Sequence, residues 1–200
     1  MITYDTLNYY NENAELYCEQ TKVGNIQENY DRFLRTIPAG SYILDFGCGS
    51  GRDSKYFIEN GYKVRAIDGS SEICKITSKY INQKVECMKF EDLDDVEVYD
   101  GIWACSSILH VEKDNLPGIL DKMLRSLKSG GVIYTSFKLG HGYEIKEGKY
   151  YNYITKEEME DVLKTLSIEA KLIDYFETKP STKRISPNTI WGNFVIKKQV

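Results

Sequence analysis

"ILDFGCGSGRDSKYF" (residues 43–57) carries an apolar run into an acid, sets Gly47, Gly49 and Gly51 at alternate positions, and continues at once with helical spacing. The segment "YILDF" (42–46) is short and apolar, which predicts a buried strand. Glycine permits a backbone with φ > 0 and lets a ligand come close. A turn from the C-terminal end of a strand into a helix leaves N–H groups unpaired, and the helix dipole there favours negative charge. Open α/β sheets bind their ligands at such turns, near the point where strand order reverses. The turn is therefore predicted to hold a ligand with a phosphate or a carboxylate.

The pattern around the turn alternates. Residues 51–60 read as a helix ending at Gly61, which can serve as a C-terminal cap. "KVRAI" (63–67) reads as a strand, and 71–81 as a helix with Ser71 at its N-cap. "KVECMKF" (84–90) and "YDGIWACS" (99–106) read as strands, 115–128 as an amphipathic helix, and "VIYTSF" (132–137) as a strand. Such alternation predicts a parallel sheet covered on both faces, with right-handed crossovers.

The flanks differ. In the first 23 residues Leu7, Tyr10, Ala14 and Tyr17 share one helical face, and a second helix carries Ile26, Tyr30, Phe33, Leu34 and Ile37 until Pro38-Ala39-Gly40 stops it. Residues 140–153 are rich in glycine and tyrosine and read as a loop. "TKEE" (155–158) fits a capping box that starts a helix. "AKLIDYFETK" (170–179) and "TIWGNFVIKK" (189–198) have no helix between them and should pair antiparallel. The expected fold is α/β: a Rossmann-like, doubly wound, mostly parallel seven-stranded sheet with a C-terminal antiparallel hairpin. One domain is expected over residues 1–200. It divides into an N-terminal helical lid (1–37), a cofactor-binding core (40–137) and a substrate-side loop, helix and hairpin (138–200).

Composition narrows the function. The chain's 200 residues suit one ordinary domain, and its 26 Lys and Arg against 30 Asp and Glu give a net charge of −4. That balance argues against a nucleic-acid partner, which a basic excess would mark. Cys18, Cys48, Cys74, Cys87 and Cys105 are odd in number and contain no C-x-x-C pair, which points to free thiols in a reducing compartment. With only His110 and His141, no protein metal site is expected. No apolar run approaches the roughly 20 residues of a membrane helix, and the N-terminus has no signal-peptide pattern. A cytoplasmic protein with no membrane partner is expected, its oligomeric state open between monomer and homodimer.

The ligand of the turn is constrained by spacing. The order is G-x-G-x-G, where the dinucleotide fingerprint has G-x-G-x-x-G, and the G-K-[ST] of a P-loop is absent. Asp68 follows the next strand about 20 residues past the glycines, where an acid reaches ribose hydroxyls. A carboxylate accepts two hydroxyls readily. Strand, glycine turn and ribose acid together predict an adenosine-type ligand. A nicotinamide-dependent oxidoreductase shares these parts; the glycine spacing and the antiparallel ending weigh against it.

At "YDGIWACSSILHV" (99–111) the sequence resembles the class I S-adenosylmethionine-dependent methyltransferases. The resemblance runs from about residue 7 to 197: "ILDFGCGSG" is similar to the family's first motif, "VRAIDGS" to the second, "KFEDL" to the adenine-side loop and "MLRSLKSGGVIYTSF" to the segment through the fifth strand. Within the family the chain looks closest to small bacterial enzymes acting on small molecules, the tellurite-resistance type among them. The resemblance implies S-adenosylmethionine as cofactor, S-adenosylhomocysteine as product and a small-molecule methyl acceptor. It implies that Gly47 and Gly49 approach the methionine part and that Asp45 orients its amino group. Asp68 would take the ribose hydroxyls, with Gly69 and Ser70 beside them. Lys89, Phe90 and Glu91 would line the adenine; many relatives have an aspartate where Lys89 stands, so backbone contacts are expected there. Trp103, Ala104 and Cys105 would sit near the sulfonium, chiefly through backbone.

Other residues carry two readings. Asp45 either orients the cofactor or caps the following helix. Arg52 pairs either with a cofactor carboxylate or with a nearby acid. Tyr10 and Tyr17 either pack on the sheet or reach the cofactor and acceptor from a lid. His110 either takes a proton from a hydroxyl or amine acceptor or only packs. The family lacks any need for a covalent enzyme intermediate, since the methyl group is already activated. Methyl transfer by in-line displacement is the expected reaction; a module that binds the cofactor without turnover is the non-enzymatic alternative.

Overall fold

The computed structural model describes residues 4–199, so the first three residues of the expected lid and the last residue of the C-terminal part lie outside the described residues. Two short helices come first, α1 (Thr6–Glu12) and α2 (Ala14–Thr21), followed by α3 (Gln27–Leu34). The sequence periodicity treats 7–17 as one face; the chain breaks it at Asn13, whose side chain donates back to the Tyr9 carbonyl at 2.8 Å. Such local side-chain bonding competes with helix continuation.

The alternating region then runs β1 (Tyr42–Phe46), α4 (Arg52–Glu59), β2 (Lys63–Asp68), α5 (Ser71–Ile81), β3 (Val85–Cys87), β4 (Tyr99–Ala104), α6 (Leu116–Ser126) and β5 (Leu127–Lys138). β3 is shorter than its sequence suggests, because Phe90–Asp92 turn into a 3-10 segment. Ser70, not Ser71, caps α5: its hydroxyl accepts from the Ile73 N–H at 3.2 Å, the donor three residues on that a cap must reach.

The stretch expected as a loop after β5 is a hairpin, β6 (Tyr143–Lys146) and β7 (Lys149–Asn152). Its two-residue turn, Glu147-Gly148, has φ of +53° and +72°. Positive φ at both central residues matches strand twist and makes the tightest hairpins; that dipeptide was the missed signal. α7 (Lys156–Lys164) follows behind the expected Thr155–Glu158 capping box, then β8 (Ala170–Thr178) and β9 (Trp191–Lys198).

The main sheet has seven strands in the order β3-β2-β1-β4-β5-β9-β8. Strands β1 to β5 pair parallel, while β9 pairs antiparallel with both β5 and β8, as the sequence predicts. From β1 the chain winds outward to β2 and β3, then returns to β4 on the other side. The order therefore reverses between β1 and β4, where a crevice opens at the strand ends. Alternate residues feed two core layers, as period-two burial requires. Leu44, Phe46 and Ile102 join α6 and α7 on one face, and Ile43, Ala66 and Trp103 join α3, α4 and α5 on the other. Among the described residues no helix is long and apolar enough to cross a membrane.

Three pieces of chain roof the crevice. α1 and α2 pack on α5, and the Asp5 N–H donates to the Gly148 carbonyl at 3.0 Å, tying α1 to the tip of the β6–β7 hairpin. The loop between β8 and β9 supplies Arg184, whose guanidinium stacks 4.9 Å from the Tyr17 ring centre. α3 does not join this roof: Phe33 is fully buried against Trp103 and Tyr134.

Candidate functional site

The glycine turn is fixed from below. The N–H groups of Gly47 and Cys48 both donate to the Ile67 carbonyl, at 3.0 and 2.9 Å, so β1 hands its end to β2. Gly47 has φ +85°, and a Cβ there would lie 2.6 Å from Ser107 Cβ and 3.2 Å from Phe90 Cζ. Gly49 has φ +52°, and its Cβ would lie 3.1 Å from the Tyr17 hydroxyl. Both positions need glycine for their conformation and for the space above them.

Two cavities meet over this turn, sharing Tyr10, Tyr17, Gly47, Gly49, Ser106 and His110. One, of about 590 Å³, reaches toward Asp68, Gly69, Lys89, Phe90 and Glu91. The other, of about 680 Å³, runs past Arg52 and Cys105 toward Lys138, Tyr151 and Trp191. Both lie within the ordinary range of ligand pockets.

Asp68 closes the far side of the smaller cavity. Its carboxylate accepts the Gly49 N–H at 3.0 Å and the Ser70 N–H at 2.9 Å, so it bridges the glycine turn to the start of α5. Burial raises its pKa, and the N–H donors of Ser70, Gly49 and Gly69 oppose that rise. Ser107, on the same wall, has a buried hydroxyl with no hydrogen-bond partner among the described residues. An orphaned buried hydroxyl is uncommon in a native fold and calls for a partner.

Four expected residues do not reach either cavity. Asp45 is buried under the turn and accepts from the Ser54 hydroxyl. Burial, and then the nearby Asp53, pushes its pKa up. Trp103 is fully buried, stacked on Tyr134 at 3.9 Å between ring centres, because strand alternation points it to the α3 side. Ala104 is fully buried on the opposite face, and Ser70 is consumed as the cap of α5, its hydroxyl also donating to Asn11 at 2.7 Å. Arg52 lines the larger cavity but takes the nearby-acid reading, paired with Asp53 at 2.6 Å.

Asp53 itself is a residue that sequence reading passed over. Its carboxylate accepts from Tyr30, from the Trp103 indole N–H at 2.8 Å and from Arg52. Burial opposes its charge, yet Arg52 and these donors outweigh burial and hold its pKa below the usual carboxylate range. Its signal was only an acid in the first turn of α4.

His110 sits where the cavities join. Its Nδ1 lies 2.7 Å from the Tyr150 carbonyl, which can only accept, so Nδ1 carries the proton. Nε2 is then the lone pair, and it accepts from the Tyr10 hydroxyl at 2.8 Å. Burial pushes the ring's pKa down to about 4, with Lys149, Lys138 and Arg184 adding to the effect and the Tyr150 carbonyl opposing it. The folded ring thus stays neutral while an unfolded histidine protonates near its usual pKa of about 6.5. The unfolded chain binds more protons between those values, so this group contributes a loss of stability on acidification from about pH 6.5 to 4, and none above. Nitrogen-detected NMR of the imidazole should find the Nδ1–H tautomer at neutral pH and a midpoint near 4; an ordinary midpoint would contradict the half-buried, neutral pair.

The larger cavity is walled by tyrosines and cations. The Lys149 side chain is 1% exposed, its ammonium 3.3 Å from the Tyr9 ring centre and 3.1 Å from Glu147. Lys138 holds its ammonium 3.8 Å from the Tyr151 ring centre. A cation over an aromatic face is stabilised electrostatically. His141, by contrast, is exposed beside Glu158.

Residues 43–131 match the sequence profile of a family described as a methyltransferase domain. The chain is 32% identical over 109 residues to a malonyl-[acyl-carrier protein] O-methyltransferase of Pectobacterium atrosepticum, covering 52% of this chain and 42% of that one. It spans about half the length of the curated relatives it matches. A Burkholderia thailandensis 1,6-didemethyltoxoflavin-N1-methyltransferase, solved with 1,6-didemethyltoxoflavin and S-adenosylhomocysteine, superposes with a TM-score of 0.75 at 17% identity, covering 96% of this chain and 85% of that one. The [4+2]-cyclase SpnF superposes nearly as well, with a TM-score of 0.74 at 14% identity over 100% of this chain and 98% of its own. At such identities the likeness is one of fold, and fold alone does not carry activity.

Proposed function

We propose that the chain, whose residues 43–131 match a methyltransferase-domain profile, is a class I S-adenosylmethionine-dependent methyltransferase that moves a methyl group from S-adenosylmethionine to a small-molecule acceptor by in-line displacement. The observation that carries this reading is the pair of cavities joined over the glycine turn, one ending at Asp68 and the other at Lys138. A cofactor in the first and an acceptor in the second would meet at Tyr10, Tyr17, Ser106 and His110.

The residues present fit the cofactor. Asp68 offers carboxylate lone pairs beyond those used by Gly49 and Ser70, enough for ribose hydroxyls. Phe90 provides an apolar face, and the Ser107 hydroxyl is unpartnered. The space over Gly47 and Gly49 is what a Cβ would fill. Lys89 and Glu91 line the same end, Gly69 beside Asp68, and Cys105 the other side of the junction.

S-adenosylmethionine supplies a methyl group already activated on a sulfonium. The protein's share is alignment and exclusion of water. α1 and α2, anchored to the hairpin tip, cover the junction and act as its lid. Tyr10 and Tyr17 meet edge to face with ring centres 5.0 Å apart and close it from above. An acceptor hydroxyl or amine that hydrogen-bonds to Tyr10 would release its proton toward His110 Nε2, the only lone pair the ring has. An acceptor that is already an anion needs no such base, and His110→Ala would then leave the rate unchanged.

Calorimetric titration with S-adenosylmethionine, S-adenosylhomocysteine and NAD tests the reading. Binding of the first two in the micromolar range, with none for NAD, is the expected result. NAD binding alone would move the function to a nicotinamide-dependent oxidoreductase. Cofactor binding without turnover on any acceptor would leave a binding module.

A further inference from the structure

The larger cavity gathers cations in a protein whose overall charge is negative. Six of its lining side chains are Lys or Arg and three are Asp or Glu, whereas the whole chain has 26 basic and 30 acidic residues. We propose that the methyl acceptor is a small anion whose carboxylate or phosphate seats against Lys138 and Arg184. This deepens the methyltransferase reading and rests on it.

Two of the cavity's three acids are paired with cations, and the third, Glu144, is hydrogen-bonded to a tyrosine and keeps its charge. Asp53 is taken by Arg52 at 2.6 Å and Glu147 by Lys149 at 3.1 Å. Glu144 accepts from the Tyr153 hydroxyl at 2.6 Å. Among the described residues no carboxylate lies within 4.0 Å of the Lys138 ammonium or the Arg184 guanidinium. What they touch instead is aromatic: Lys138 lies over Tyr151, and Arg184 over Tyr17 while donating to the Tyr9 hydroxyl at 3.3 Å. Aromatic faces hold a cation in place without neutralising it. Partly buried cations left in that state attract an anion strongly, since a charge-assisted hydrogen bond satisfies both partners.

Their neighbourhood strengthens the case. Burial lowers the Lys138 pKa; Lys146, Lys149 and Arg184 lower it further, and Glu144 opposes them. The three other cations therefore act on Lys138 across one space. An anion entering that space relieves their repulsion. Tyr151 and Trp191 on the walls suit a flat or apolar body behind the charged group.

The test titrates protein loaded with S-adenosylhomocysteine with benzoate, phenyl phosphate and the neutral benzamide. At least one anion should bind at least tenfold more tightly than benzamide, and the stronger of the two identifies carboxylate or phosphate as the preferred group. Lys138→Met and Arg184→Met should each weaken that anion at least fivefold, while S-adenosylhomocysteine affinity stays within twofold. Competition by chloride against the bound anion in the unmutated chain shows without the variants whether the anion is held by charge. Equal binding of benzamide, or no binding of either anion, overturns the proposal. Joint loss of S-adenosylhomocysteine and anion binding in both variants also overturns it, because the cations would then serve the cofactor's own carboxylate. Failure of the unmutated chain to bind S-adenosylhomocysteine would instead strike the methyltransferase reading, and benzoate on the unloaded protein would still decide the cation pair.

Discussion

Asp68→Ala should weaken S-adenosylhomocysteine binding by about 2–4 kcal/mol, or roughly 30- to 700-fold. Hydrogen bonds to a charged acceptor are the strong ones, and this half-buried carboxylate stands at the end of the smaller cavity. It also bridges the Gly49 and Ser70 N–H groups. Alanine would therefore remove the hydroxyl acceptor and loosen the turn that approaches the ligand. Asp68→Asn keeps the size and one acceptor oxygen, and its affinity should fall between the two. Because burial raises the Asp68 pKa, affinity should begin to decline on acidification at a higher pH than an ordinary aspartate would impose. Calorimetry on the three proteins checks this. Unchanged affinity in Asp68→Ala would remove the smaller cavity as the ribose site.

Asp53→Ala should destabilise the fold by about 3–5 kcal/mol, the loss seen when one partner of a buried ion pair is removed. For a chain of this size each kcal/mol shifts the midpoint by about 2–4 °C, so thermal unfolding should fall by roughly 6–20 °C. The reason is local. Alanine leaves Arg52 charged in a largely enclosed place, and strips the acceptor from the Tyr30 hydroxyl and the Trp103 indole N–H. The double replacement Arg52→Met with Asp53→Leu removes both charges and should recover the part of the loss that comes from the uncompensated Arg52 charge, while the Tyr30 hydroxyl and the Trp103 N–H still lack their acceptor. The folded pKa of Asp53 lies below its unfolded value. Its contribution is thus fully present above the ordinary aspartate pKa of about 3.9 and is lost as pH falls through the folded value. A midpoint for Asp53→Ala within about 2 °C of the parent would mean that the pair contributes under about 1 kcal/mol.

Some of the site was legible because it depends on local rules. Gly47, Gly49 and Asp68 could be placed from spacing, since a glycine turn and the acid one strand later are both fixed by the βαβ unit that contains them. The Thr155 capping box was legible because its two partners, Thr155 and Glu158, are three residues apart at a helix start. Where a side chain points is a different matter. Trp103 and Ala104, expected near the sulfonium chiefly through backbone, lie on a strand whose alternation turns their side chains into the two core layers. Ser70 and Ser71 are equal candidates for a cap until the helix start is known to within one residue. The β6–β7 hairpin escaped because its strands are short and its composition is that of a loop; only Glu147-Gly148 marks the turn.

Local sequence alone dictates the doubly wound sheet, its antiparallel ending and the glycine turn after the first strand. Periodicity, turn residues and short spacings act over a few residues and need no distant partner. Only the tertiary structure decided that Asp53 is the counter-charge of Arg52 among Tyr30 and Trp103, that His110 is neutral between Tyr10 and Tyr150, and that Lys138 and Arg184 face one cavity. Those pairings join residues from elements far apart in the chain, and their protonation depends on burial, which packing sets and no local pattern records.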